Sequence, residues 1–200
     1  MLHEKLKGYR LILASQSPRR QALIKGLDVA VTPAPAYHVS EVFPPGMPRD
    51  EVPVFLARAK SEAYPRPLDG RDILITADTL VWCKGEFLGK PADEADARRM
   101  LRLLSGSVHE VLTGVCLRSR KQTKTFLSST LVHFRPLTED EISYYLSTCQ
   151  PYDKAGAYGI QEWIGYAAVE RIEGSYYNVM GLPVQRLYVE LTDFARGKES

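Results

Sequence analysis

Ser15, Ser17, Arg19 and Arg20 stand within one short run, Ser-Gln-Ser-Pro-Arg-Arg, and hydroxyl donors beside two guanidinium forks are a set suited to holding phosphate. Asp78 closes the apolar run Ile73-Leu74-Ile75, where a carboxylate must be solvated, protonated or paired with a cation. A divalent metal would satisfy it, and Glu41 could supply a second hard oxygen to Mg²⁺ or Mn²⁺, the ions that accompany nucleotide phosphates. Lys60, Lys90 and Lys154 each stand at the edge of a regular element and could converge on the same anion. Each has a plainer reading: Ser17 and Pro18 as a helix cap, Asp78 as a turn residue, Glu41 and the lysines as solvated surface. His109 reads as a hydrogen-bonded sheet histidine rather than a base. No Gly-rich P-loop, HExxH or CxxC signature occurs, and no Ser-His-Asp or Cys-His nucleophile can be argued from residue order, so attack by water is the simpler chemistry.

The elements that must position these groups can be read from the apolar pattern. Leu11-Ile12-Leu13 is a short buried strand, Ser17 an N-cap and Pro18 a first helical residue, with the helix running to about Lys25 and stopped by Gly26. The helix N-terminus and its dipole then face the Ser-Arg turn. After a short strand near Val29 to Thr32, five prolines (33, 35, 44, 45 and 48) make the stretch to Glu51 an irregular loop, a candidate lid. Val52 to Ala63 is expected to be helical with Val52, Phe55, Leu56, Ala59 and Ala63 as its apolar stripe. Asp72 to Trp82 is a strand interrupted at Ala77-Asp78-Thr79, followed by a hairpin turn at Lys84-Gly85-Glu86.

Further along, Asp93 caps a helix whose Ala97, Met100, Leu101 and Leu104 share a face, and Ser105-Gly106 ends it. Val108 to Leu117 and Thr125 to Phe134 are consecutive strands, expected to pair antiparallel, and Thr138 with Glu141 is a capping box. Asp153 to Gln161 is a glycine-punctuated loop, Ile164 to Ile172 a strand, Gly174 to Gly181 an irregular loop, and Val184 to Phe194 a terminal helix. The sum is an α/β (mixed α+β) fold, with a twisted mixed sheet flanked by helices and two lobes around a central cleft. One domain is expected over 1–200, with a core of 1–195 and a frayed tail at 196–200.

Composition narrows the partners. A net charge of +2 is too small for a nucleic-acid polymer and suits a small anionic ligand. No apolar run approaches the about 20 residues of a membrane span, and the polar start lacks a signal-peptide core, so a cytoplasmic location is expected. Cys83, Cys116 and Cys149 are widely spaced and odd in number, which argues against a disulfide framework.

Seven ordered segments resemble the Maf family of nucleoside triphosphate pyrophosphatases over nearly the whole chain. They are L-A-S-x-S-P-R-R at Leu13 to Arg20, L-A-x-x-K at Leu56 to Lys60, A-D-T at Ala77 to Thr79, G-K-P at Gly89 to Pro91, L-S-G-x-x-H-x-V-x-T-G-V at Leu104 to Val115, D-K-A-G-A-Y-G-I-Q at Asp153 to Gln161, and G-S-Y-x-x-V-x-G-L-P at Gly174 to Pro183. The resemblance implies cleavage between the α and β phosphorus atoms with a divalent metal. In it Asp78 is the proton acceptor that activates water, Glu41 aligns with the lid glutamate near the metal, and Ser15, Arg20, Lys60, Lys90 and Lys154 align with phosphate-handling positions. Arg19, Thr79 and Gln161 match the branch acting on dTTP and UTP, whereas the branch acting on 7-methyl-GTP carries a tryptophan, a glutamine and a glutamate-like residue at those places. A homodimer is also implied. The chain departs from the family at the lid, where Ser40-Glu41 replaces the common Asp-Glu and leaves one carboxylate fewer for a metal. Two rivals stay open on sequence alone: a nucleotide-binding regulator of septum formation or cell shape with little catalysis, and a 7-methyl-GTP or broader purine triphosphate pyrophosphatase.

Overall fold

The computed structural model describes residues 1–197; of the expected tail, Arg196 and Gly197 follow the last helix and 198–200 lie outside the described residues. In chain order the elements are α1 (Leu2–Lys5), β1 (Arg10–Leu13), α2 (Pro18–Lys25), β2 (Val31–Pro33), α3 (Val52–Glu62), β3 (Asp72–Cys83), β4 (Glu86–Leu88), α4 (Glu94–Leu104), β5 (Val108–Arg118), β6 (Thr123–Phe134), α5 (Glu139–Cys149), a 3-10 turn (Ala155–Ala157), α6 (Trp163–Ala168), β7 (Val169–Glu173), α7 (Tyr176–Val179) and α8 (Val184–Ala195). The sheet is mixed, ordered β2-β1-β3-β5-β6-β7 with β4 paired to β3. β1 runs parallel to β2 and β3, while β4 is antiparallel to β3 and β7 to β6. The expected α/β class with helices beside a mixed sheet is what the chain forms.

By internal contacts the residues divide into two compact units. The first comprises Met1–Asp78, Thr113–Ser128 and, of the described residues, 181–197. Its β1 and the first half of β3 are buried apolar runs, with Leu11 level with Ile73 and Ile12 with Leu74. Ile12, Leu74, Ala34 and Tyr64 pack into one cluster that Tyr37 and Leu68 border. Helix α2 starts as its sequence dictates: Ser17 Oγ accepts the Arg20 N–H at 3.4 Å, Pro18 fills the first position, and Gly26 is the C-cap.

The second unit comprises Thr79–Leu112 and Ser129–Met180. Its core is the buried face of α4 (Ala97, Met100, Leu101, Leu104) with Val81, Leu88, Val111, Phe134, Ile142 and Tyr145. The two-residue turn Lys84-Gly85 joins β3 to β4 with both residues at positive φ, 47° and 91°, as the sequence predicts for a tight hairpin. The Thr138 capping box forms, and Arg135 grips Glu141 so firmly that its carboxyl is held down to about 2.

Toward the end of the second unit two stretches differ from expectation. Ile164 to Ile172 is not one strand: α6 takes its first half and β7 only Val169–Glu173. Gly165 explains why the chain can turn there, because a Cβ on it would stand 1.7 Å from the Ile160 carbonyl oxygen. The expected loop from Gly174 to Gly181 also contains α7, capped by Ser175.

His109 is the buried sheet histidine the sequence suggested. Its Nε2 lies 2.8 Å from the Tyr158 hydroxyl, and the rings of Phe134 and Tyr158 stand edge-on to it. Burial drives its pKa from the usual 6.5 down to about 3. Between those values the unfolded chain binds a proton that the folded chain refuses, so stability falls as pH drops through this window, by up to about 1.4 kcal/mol per pH unit. Urea unfolding at pH 7 and pH 5 should therefore show a difference about 2 kcal/mol smaller in His109→Gln than in the wild type. An unchanged difference would remove His109 as the source.

Candidate active site

In the first unit the site is built by fastening α3 to β3 and β5. Thr76 Oγ1 donates to the Ala57 carbonyl at 2.6 Å, and Arg118 donates to Ser61 Oγ at 2.9 Å and to the Ser61 carbonyl. Gly114 lets the start of α3 press against β5, because a Cβ there would meet the Pro53 carbonyl at 2.2 Å. The face that α3 buries is Val52, Pro53, Leu56, Ala57 and Ser61, so the expected stripe is rotated and Phe55 is exposed. This rotation carries Lys60 to β3. The lid loop is tied to the same place by Tyr37, whose hydroxyl donates to the Lys60 carbonyl at 2.7 Å and whose ring meets Tyr64 edge-on.

Asp78 consequently lies in an unbroken β3, not at the expected interruption, because its charge is answered from the side. The Lys60 ammonium donates to Asp78 Oδ1 and, at 2.7 Å, to Glu41 Oε1. Asp78 is 6% exposed, and burial pushes its carboxyl above the ordinary range against the pull of Lys60 and then Arg20. Arg20 arrives from the start of α2, where Nε donates to the Gly181 carbonyl at 2.7 Å and Nη1 to the Ala77 carbonyl at 2.9 Å. Desolvation lowers the pKa of Arg20, and the nearby Asp78 charge opposes that. Ser17 Oγ caps α2 while Ser15 Oγ accepts the Ser17 N–H at 3.2 Å; both oxygens act as acceptors, which leaves each O–H as a donor for an anion.

These residues can do base chemistry. A shielded carboxylate with a raised pKa is better matched to taking a proton near neutral pH than an ordinary aspartate. For a metal, the described residues hold no cluster of three or more His, Cys, Asp or Glu side chains. Glu41 and Asp78 nevertheless both reach one cation, the Lys60 ammonium. Two carboxylates of this kind fit a hard divalent ion that takes its remaining ligands from phosphate oxygens and water, and do not fit a cage made by protein alone.

In the second unit two of the expected segments meet: the Gly156 N–H donates to the Gly89 carbonyl at 3.0 Å, joining the loop of Lys154 to the one that carries Lys90. Lys154 is 9% exposed and paired with Asp153 at 2.7 Å and Glu162 at 3.0 Å, whereas Lys90 is exposed. Thr79 is half-buried on β3, and Gln161 holds its Oε1 buried with no hydrogen-bond partner among the described residues. Sequence reasoning missed Glu162 and Tyr145. Tyr145 lies in the helix opened by the Thr138 capping box with nothing in its spacing to mark it, and Glu162 falls one place past the Asp153 to Gln161 motif. The usable signal was Lys154 itself, since a lysine in a glycine-rich packed loop needs a carboxylate.

The model of the family described as "Maf-like protein" matches residues 10–194. A dTTP/UTP pyrophosphatase of Porphyromonas gingivalis is 52% identical over 193 residues, covering 96% of this chain and 97% of the relative. One of Bacteroides fragilis is 51% identical over 186 residues (93% and 96%), and one of Flavobacterium johnsoniae 45% over 192 (96% and 98%).

Proposed function

This chain belongs to the Maf family, and from that membership and the chemistry around Asp78 we propose that it hydrolyses dTTP and UTP to the nucleoside monophosphate and pyrophosphate. The observation that carries the reading is the buried Asp78 carboxylate held by Lys60 beside Glu41. In this reading Asp78 takes a proton from water, whose oxygen attacks the α phosphorus as the bond to the β-phosphate bridging oxygen breaks. Lys60 orients the base through one N–H, and with two of its three donors used on Asp78 and Glu41 it keeps one for a phosphate oxygen. Ser15, Ser17, Arg19, Arg20, Lys90 and Lys154 hold the phosphates, where charge spread over phosphoryl oxygens favours cationic stabilisation over covalent catalysis.

Glu41 and Asp78 would hold the divalent metal, Mg²⁺ or Mn²⁺, which when bound supplies charge neutralisation at the phosphates. Gln161 supports a base that donates: its buried carbonyl has no partner in the described residues, and the N3–H of uracil or thymine is such a donor. Arg19 and Thr79 complete the residues assigned to substrate choice. The match over 10–194 supports a single Maf-like domain, and the same reading carries a cytoplasmic nucleotide-pool enzyme acting as a homodimer. No helix of the described residues is long and apolar enough to cross a membrane.

The test is pyrophosphate release from a panel of triphosphates with Mg²⁺ or Mn²⁺. Turnover of dTTP and UTP above purine triphosphates is expected. Turnover of 7-methyl-GTP alone would overturn the branch, and turnover of none would leave a nucleotide-binding regulator as the better reading.

A further inference from the structure

Glu162 sits at the junction of three contacts in the second unit. One carboxylate oxygen pairs with the Lys154 ammonium at 3.0 Å, and the other accepts from the Tyr145 hydroxyl. Tyr145, fully buried on α5, in turn accepts the Gly159 N–H at 3.0 Å. The loop folds tightly over this junction, since a Cβ on Gly159 would stand 2.9 Å from Glu162 Cδ. The other carboxylate on Lys154, Asp153, is 57% exposed against 21% for Glu162, so the more shielded half of the clamp is Glu162. Burial, and after it the bond to Glu162, push the Tyr145 hydroxyl pKa up, so it stays protonated and keeps donating.

We propose that Glu162 is a positioning residue that acts through Lys154: by anchoring to Tyr145 it holds the Lys154 ammonium in one place for a phosphate oxygen. The inference rests on the pyrophosphatase reading for its substrate. A lysine on a flexible four-carbon stem would otherwise lose rotamer freedom when the anion binds. Clamped between two carboxylates it is ordered beforehand, and two used donors leave a third N–H for the ligand.

The test is a double-mutant cycle on the full chain with Glu162→Gln, Lys154→Met and the pair. It is read as kcat and KM for dTTP and UTP and, separately, as Kd for inorganic pyrophosphate by calorimetry. Glu162→Gln alone should lower kcat/KM roughly tenfold, and should change nothing further in the Lys154→Met background. Multiplying losses, or a Glu162→Gln protein equal to wild type, overturn the proposal. If thermal melting shows Glu162→Gln unfolded, Glu162→Asp, which keeps the charge and shortens its reach, takes its place in the cycle. Failure of both to fold assigns Glu162 to the fold alone and also overturns it. A wild-type chain that turns over neither nucleotide refutes the functional reading instead, and the pyrophosphate Kd cycle still decides whether Glu162 acts through Lys154.

Discussion

Asp78→Asn should lower kcat for dTTP and UTP by about a hundred- to ten-thousandfold, the range contributed by a general base, while triphosphate binding survives. Asparagine keeps the volume of the buried side chain and still offers Lys60 a carbonyl oxygen, so β3 and α3 have no reason to separate. What it loses is the ability to accept the water proton, and with it the charge of one oxygen ligand for a divalent ion. Removing a negative charge near the phosphates does not weaken their attraction to Arg20 and Lys60. Pyrophosphate release and calorimetric binding of dTTP, measured side by side, separate the two effects. A rate near that of wild type would take Asp78 out of its role.

Gly114→Ala is expected to destabilise the chain strongly. The added Cβ would lie 2.2 Å from both the carbon and the oxygen of the Pro53 carbonyl and 2.4 Å from the Val54 nitrogen. All three are backbone atoms, which cannot rotate aside, so α3 itself must move. A stability loss of about 3 kcal/mol or more follows, the upper end for overpacking. Because α3 carries Lys60, whatever still folds should also lose kcat/KM. Gly70→Ala is the control: it has nothing within 4 Å of the new atom and should leave both quantities near wild type. Denaturant unfolding of the pair with wild type checks the stability, and equal midpoints for Gly114→Ala and Gly70→Ala would refute the close packing of α3 on β5.

The motifs of this chain were legible because they are local. An N-cap followed by proline, a hairpin turn at Lys84-Gly85 and a T-x-x-E box depend on backbone needs within a few residues; each forms, the turn one residue shorter than expected because Glu86 already belongs to β4. Helix faces were less legible. The stripe assigned to α3 was wrong by a rotation because alanines and Phe55 fit either face, and the choice is made by Gly114 and Thr76 on distant strands. The segment from Ile164 to Ile172 misled for a related reason: its apolar residues suit a strand, but the close approach at Gly165 that favours a helical turn is a contact and not a pattern.

The amino-acid sequence alone determined the family, the α/β class and the identity of Asp78 as the acid to examine, since a carboxylate closing an apolar strand is improbable without a partner. Which partner it has was a tertiary decision. Lys60 reaches Asp78 and Glu41 because hydrogen bonds and a missing Cβ set the rotation of α3, and Lys154 is anchored by Glu162 because Tyr145 rises from a helix well before it in the chain. Charge pairing across such separations costs nothing to write in a sequence and leaves no periodic trace there; only packing brings the groups within reach.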